Sequence, residues 1–357
     1  MPTRSISVAV LVAIVLLAIQ GQADAQSPLH ERLKATGFKI AYECYIDRNW
    51  EIFVMNADGT GAVNLTATPK EHEHYPQISP DGRRICFLSD VGEGRDTMRS
   101  LYVMDMDGNN RKKIAEHVRE PFWSPDNKVI GFLPQLYPRF SAADGFSDGM
   151  VYYDVQTGKT EPHPNSAKLH QLYNPSFASN GKWIAATVHA GMDIGHAIIL
   201  IEAHGSKIIK LDIPGCRPCL SPDGKQIAWG AGDHELAVAP IDLDSDSPAV
   251  GKWRFRIKDD KNKIYHVDWS PDSQFLAFSR GPEGEGDPNK AGTYQAANEM
   301  IGVYAQGWDI DAVSAGPEHV GTLDLNKAGD QDIAQLTTNG CSNKEPAWFF
   351  PHQSARE

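Results

Sequence analysis

One short phrase recurs along this chain: a proline-opened strand, then Ser-Pro-Asp-Gly, then an apolar strand. It reads YPQISPDGRRICFLSD at 75–90, EPFWSPDNKVIGFLP at 120–134 and NPSFASNGKWIAATVH at 174–189. It returns as RPCLSPDGKQIAWGA at 217–231 and HVDWSPDSQFLAFSR at 266–280, with a degenerate copy, EPAWFFPHQ, at 345–353. The aligned positions are Ser79, Ser124, Ala178, Ser221, Ser270 and Phe349, giving steps of 45, 54, 43, 49 and 79 residues. Self-similarity at this period marks an array of supersecondary units. Such a unit cannot bury its apolar face alone, so the copies must pack on one another.

The first copy shows what the unit is. Pro76 to Ser79 is short and alternating, as a strand is. Pro80-Asp81-Gly82 is turn chemistry: Pro presets φ, Asp bonds nearby backbone, and Gly accepts positive φ. A second strand follows from Arg84 to Leu88, a third from Ser100 to Asp105, and a fourth from Arg111 to Ile114 after the Asp107-Gly108-Asn109 turn. Four antiparallel strands per unit is a β-propeller blade. The C-terminal copy supplies only one strand, near Glu345–Phe349. Three more stand at the other end, around Phe38–Tyr42, Trp50–Met55 and Ala62–Thr66. One strand plus three completes a sixth blade and removes the free sheet edges that invite aggregation. The expected fold is therefore all-β: a six-bladed propeller over 38–352, closed by pairing of the N-terminal strands with the C-terminal strand.

These copies resemble the TolB-type β-propeller repeat, a relative of WD repeats. The copies at Tyr75, Glu120, Arg217 and His266 carry its strand–Ser-Pro-Asp–strand core. Ile52–Gly59 and Asn64-Leu65-Thr66 match its later half, and Gln335-Leu336-Thr337 repeats the ending. TolB itself has a separate α/β domain before its propeller. Here a short lead-in, 26–37, stands between the leader and the first strand, so the expectation is a lone propeller. The resemblance implies protein–protein contacts in the bacterial envelope, and the expected role is a non-catalytic binding scaffold.

Residues 1–25 have the pattern of a secretory signal: Arg4, an apolar run over 8–19, and Ala23-Asp24-Ala25 before Gln26. That run has 12 residues, too few for an ordinary membrane helix. A periplasmic or secreted location follows, with no membrane span after cleavage. The net charge of −12 speaks against nucleic acid, which needs clustered positive surface. The protein is expected to be a monomer. Five cysteines, Cys44, Cys86, Cys216, Cys219 and Cys341, leave at least one without an intramolecular partner. Cys216-Arg217-Pro218-Cys219 has C-x-x-C spacing, but no second pair completes a zinc site. Cys44 and Cys86 are read as small apolar packing residues.

Function in a propeller lies on the loops and channel mouths of a rigid ring. The residues just before each innermost strand, expected to face a channel mouth, are, in register, Tyr75, Glu120, Asn174, Arg217, His266 and Glu345. One step earlier come His74, Arg119, Tyr173, Cys216, Tyr265 and Lys344. In one reading this mouth binds a peptide or protein terminus. Arg217 and Arg119 take carboxylates there, tyrosines give flat contact, and no cofactor is needed. In the alternative, His266, Glu120, Glu345 and His74 hold a divalent cation, in a metal-dependent carbohydrate-active enzyme. That arrangement is similar to propeller-type pectin lyases, although this chain lacks their cluster of histidines. The plainer alternative is a mouth whose polar side chains are simply hydrated. His72-Glu73-His74 is an H-x-H without a third ligand, and a solvated loop is expected there. H-E-x-x-H and the P-loop are missing, and no hydrolase domain is expected in the stretch to Glu357. The stretch 281–306 reads as an insertion in blade five that packs on one face and shapes a partner site. A second extended stretch, 135–149, enlarges blade two. Residues 353–357 read as a tail.

Overall fold

The computed structural model describes residues 28–92, 96–137, 147–245, 247–282 and 307–352. The signal-like segment, most of the 281–306 insertion, part of 135–149 and the tail lie outside them. The described residues form six sheets in a ring. Blade one holds β4 (His72–Ile78), β5 (Arg84–Val91), β6 (Met98–Asp105) and β7 (Lys112–Glu116). Blade two holds β8 (Val118–Trp123), β9 (Val129–Pro134), β10 (Val151–Asp154) and β11 (Thr160–Pro162). Blade three holds β12 (Leu172–Phe177), β13 (Trp183–His189), β14 (His196–Glu202) and β15 (Ile208–Lys210). Blade four holds β16 (Cys216–Leu220), β17 (Gln226–Gly232), β18 (Glu235–Pro240) and β19 (Phe255–Lys258). Blade five holds β20 (Lys263–Trp269), β21 (Phe275–Gly281), β22 (Asp309–Ser314) and β24 (Ile333–Gln335). Blade six joins β25 (Ser342–Phe349) to β1 (Lys39–Ile46), β2 (Asn49–Asn56) and β3 (Val63–Asn64).

The ring closes as the repeat count requires. β1 pairs antiparallel with β25, and Ile40 stands directly opposite Trp348. The core is divided accordingly into wedges between blades. One wedge packs Phe122, Leu133 and Tyr152 of blade two against Ile184, Ile199 and Ile201 of blade three. Another packs Ala228, Val238 and Ile257 of blade four against Trp269, Leu276 and Phe278 of blade five.

The Ser-Pro-Asp turn has a physical reason to recur. Ser79 Oγ accepts the Arg84 N–H at 2.9 Å and donates to Asp81 at 2.7 Å. Ser124, Ser221 and Ser270 make the same pair of bonds with Asp126, Asp223 and Asp272. Each serine is buried, so this short hydroxyl satisfies both a buried donor and a turn carboxylate. The turns also bind one another. Asn127 and Ser273 occupy the left-handed position that Gly82 and Gly224 fill elsewhere. Their side chains accept the Asp81 and Asp223 N–H of the preceding blade, at 2.9 and 3.1 Å.

Two elements depart from the sequence reading. The lead-in contains a helix, α1 (Leu29–Thr36), ended by Gly37 at φ 68°. Leu29 and Leu33 are fully buried one helical turn apart, against Ala334 and Leu336 of blade five. Blade four carries a fifth strand. β23 (Gly321–Asp324) leaves the blade-five stretch and pairs parallel with β19.

Candidate functional site

The six register positions facing the channel share an unusual backbone. Tyr75, Glu120, Asn174, Arg217, His266 and Glu345 have φ of 53°, 48°, 47°, 52°, 56° and 51°. None is glycine, although this left-handed region costs a side-chain-bearing residue on the order of 1 kcal/mol or more. Each sits where the pairing register of its innermost strand breaks. A β-bulge of this kind re-aims one side chain out of the sheet. In five of the six the next residue is proline, which has no N–H to give the ladder, so the bulge forfeits no bond there. The sequence reading placed these residues just ahead of the innermost strand; they lie within it, since β4 already starts at His72.

The six bulged residues are linked. His266 Nε2 lies 3.0 Å from Glu345 Oε1, and His266 Nδ1 lies 3.2 Å from Ser279 Oγ. Glu120 Oε2 accepts the Asn174 N–H at 3.4 Å, while Oε1 pairs with Arg119 at 3.3 Å. Tyr75 feels both Glu120 and Glu345, and Arg217 from across the ring feels Glu345 and Tyr75.

The preceding ring lines the same space. His74 Nδ1 pairs with Glu43 at 3.0 Å, and Arg99 holds Asp90 in a bidentate pair beside it. The guanidinium of Arg217 packs over Tyr265 at 5.0 Å and Tyr173 at 5.6 Å. Its other neighbour is Cys216 Sγ, at 3.7 Å. Lys344 lies 4.3 Å over the Trp308 ring, and among the described residues its buried Nζ has no hydrogen-bond partner. Trp308 in turn stacks on Tyr265.

Burial controls the charge states. It pushes the Glu345 carboxyl well above the ordinary range, helped by Glu43 and Glu120 and opposed by Arg217 and Lys344. Burial drives His266 well below its usual value, and Arg217 and Lys344 reinforce this, so the imidazole is neutral. Burial lowers Lys344 to about 7, against the pull of Glu43 and Glu345. Burial also opposes the Arg217 charge, yet Cys216, Tyr173, Glu345 and Tyr75 raise its pKa overall. Arg217 and Lys344 thus have no carboxylate ion pair among the described residues, and they stand beside a carboxyl whose pKa burial raises.

The four residues weighed as metal ligands divide into separate pairs: His266 with Glu345, His74 with Glu43, and Glu120 with Arg119. Among the described residues, no group of three His, Cys, Asp or Glu side chains stands together as a metal site. His72-Glu73-His74 is part of β4 and not a solvated loop, with Glu73 and His74 buried. Sequence reasoning missed Glu43 and Ser279. Glu43 was within reach, because pairing β1 with β25 sets it opposite Lys344.

Further along the channel, at the Ser-Pro-Asp turns, lies a cavity of about 440 Å³ lined by Trp123, Phe177, Trp269 and Trp348. Two of these indoles are staples: Trp123 and Trp269 donate to the Gln77 and Cys219 carbonyls of the preceding blades, at 2.9 and 3.2 Å. Asp268 sits between this aromatic end and the polar ring. Burial raises its carboxyl to about 6, although it accepts the Trp348 N–H at 2.7 Å.

Six blades, a closed ring and a side-chain-lined axis define a β-propeller. The particular fold is that of the TolB-type propeller. The chain superimposes on TolB from Acinetobacter baumannii with a TM-score of 0.58, 16% identity and coverage of 87% of this chain and 66% of that one. It also matches a chain of the nidogen/laminin complex, with a TM-score of 0.57, 10% identity and coverage of 88% and 100%. Likeness at these identities shows the fold alone. The chain matches no protein-family model. By sequence it is 30% identical over 119 residues to dipeptidyl-peptidase 5 of Porphyromonas gingivalis, covering 31% of this chain and 16% of that protein. It is 26% identical over 200 residues to the uncharacterized peptidase YuxL of Bacillus subtilis, covering 54% and 27%. The chain therefore spans about a sixth and about a quarter of these two relatives' lengths.

Proposed function

We propose that this protein is a non-catalytic binding scaffold of the bacterial envelope, and that its polar channel mouth seats the carboxylate end of a peptide or protein partner. The supporting observation is Lys344: a buried amine without a hydrogen bond among the described residues, near Arg217, in a ring of six re-aimed side chains. An anion brought there supplies the partner both cations lack, and a desolvated charge-assisted bond is stronger than one at the surface. Tyr173 and Tyr265 already fix the Arg217 guanidinium, which lowers the ordering cost of binding.

The test is calorimetry with peptides drawn from proteins retrieved out of the envelope fraction, each with a free or an amidated C-terminus. Free-acid peptides should bind and amidated ones lose at least tenfold, with Arg217→Ala and Lys344→Met losing as much. Equal binding of both forms overturns the carboxylate assignment. The rival reading puts a divalent cation on His266 and Glu345, whose imidazole is neutral and whose spacing is short. Stoichiometric manganese or zinc in the purified protein, lost in His266→Ala, would favour that reading over the scaffold.

A further inference from the structure

The ring closure carries a second feature, independent of the channel ligand. Cys44 lies in β1, opposite Asn343 of β25. Cys341 lies one residue before β25 begins, just after Gly340 turns the chain at φ 73°. The two sulfurs share one neighbour. Asn339 Nδ2 donates to Cys44 Sγ at 3.6 Å, and Cys341 Sγ donates to the Asn339 carbonyl at 3.8 Å. The two thiols also contact each other and pack in one apolar cluster. Both are free. Cys44 is fully buried, while Cys341 is half-buried and reaches solvent. The remaining cysteines have other surroundings. Cys86 is enclosed between blades one and two, Cys219 donates to Asp268 at 3.3 Å, and Cys216 lies against Arg217.

We propose that Cys44 and Cys341 form a redox-active pair whose disulfide locks the propeller where its first and last strands meet. The oxidant is another disulfide, R–S–S–R, either a small molecule or a thiol oxidase. The accessible Cys341 thiolate attacks one of its sulfurs, and the first R–S⁻ leaves, giving a mixed disulfide. Cys44 then loses its proton to solvent and attacks Cys341 Sγ, expelling the second R–S⁻. The two cysteines lose two protons and two electrons, and the oxidant becomes two R–SH. The burial of Cys44, with Cys341 beside it, pushes its thiol up to about 12. Resolution of the mixed disulfide is therefore the slow step and quickens with pH. The bridge matters because β1 and β25 are otherwise joined by hydrogen bonds and packing. A cross-link there closes a loop that includes the other five blades, and long loops constrain the unfolded chain most.

The experiment treats the intact protein with oxidised glutathione, with and without later dithiothreitol. It reads thiol content after denaturation, the linked peptides in a non-reducing digest, and Tm. The expected result is a fall from five thiols to three, a Cys44–Cys341 peptide, and a reversible Tm rise on the order of 5–10 °C. Cys341→Ser should keep the reduced protein's Tm and lose the oxidative rise. Cys44→Ser, at a fully buried site, is the second variant and should leave Cys341 as a persistent mixed disulfide. The proposal is overturned if all five thiols persist. It is equally overturned if the bridge joins Cys216 to Cys219, if wild-type Cys341 retains glutathione, or if the bridge forms without raising Tm.

Discussion

Lys344 stands directly across the β25–β1 pair from Glu43, yet its amine makes no hydrogen bond among the described residues, while Glu43 is held by His74. The closing strands therefore place in the channel wall a buried amine that, among the described residues, has no hydrogen bond. Burial of such a group costs stability unless something pairs with it. Lys344→Met should raise unfolding free energy by about 1–4 kcal/mol in the absence of ligand. Denaturant titration checks it, and a loss of stability would mean Lys344 already has a partner.

The same lysine sets a pH dependence. Its folded pKa, lowered to about 7, lies below that of the unfolded chain. Between those two values the unfolded state binds the extra proton, so this group's contribution to stability should rise with pH above about 7. Anion binding should show the opposite trend, because the bound anion favours charged Lys344. Affinity should weaken from pH 6 to pH 9 with proton uptake on binding. Calorimetry in buffers of different ionisation enthalpy measures that uptake.

Asp268 has the reverse signature. Burial raises its folded pKa to about 6, above the ordinary carboxylate value. Here the folded state binds the extra proton, so this contribution is full below about pH 4 and lost as pH rises through 6. Asp268→Asn should flatten that part of the stability profile; an unchanged slope would remove Asp268 as its source.

The repeated turn can be tested in one blade. Ser79→Ala leaves the Arg84 N–H and Asp81 without their shared hydroxyl and should cost about 1–2 kcal/mol. Gly82→Ala should cost more, about 2 kcal/mol or above, because a Cβ there would stand 2.1 Å from the Phe350 carbonyl at φ 68°. Chemical denaturation of both variants decides the order.

The bulged ring separates aim from strain. Asn174→Gly keeps the left-handed backbone and should be neutral or stabilise by up to about 1 kcal/mol. A substantial loss would mean the Asn174 side chain, and not its backbone, secures that bulge.

The blades were legible because each copy carries its own turn, and a turn is a local event. The closure was legible by subtraction: β25 lacked three strands, and the segment holding Ile40 and Trp50 had three to spare. α1 was passed over because the Leu29–Leu33 spacing is a single helical pair, too short to stand out. The parallel visit of β23 to β19 was hidden because no local pattern in Gly321–Asp324 names a neighbouring blade. Register alone aligned Tyr75, Glu120, Asn174, Arg217, His266 and Glu345 at one position of their blades. What it could not supply was their shared left-handed φ, though the proline after five of them was the visible trace. The nearness of Cys44 to Cys341 becomes apparent only once β1 and β25 are aligned.

That alignment has a bearing on how the molecule is made. β1 emerges from the ribosome early, and the strand that covers its inner edge is the last of those described. Until the closing strand docks, the chain exposes an open, apolar border that any extended neighbour could occupy. Accurate folding then depends on keeping this border vacant until β25 arrives, so crowding should influence yield more than the strength of any individual blade.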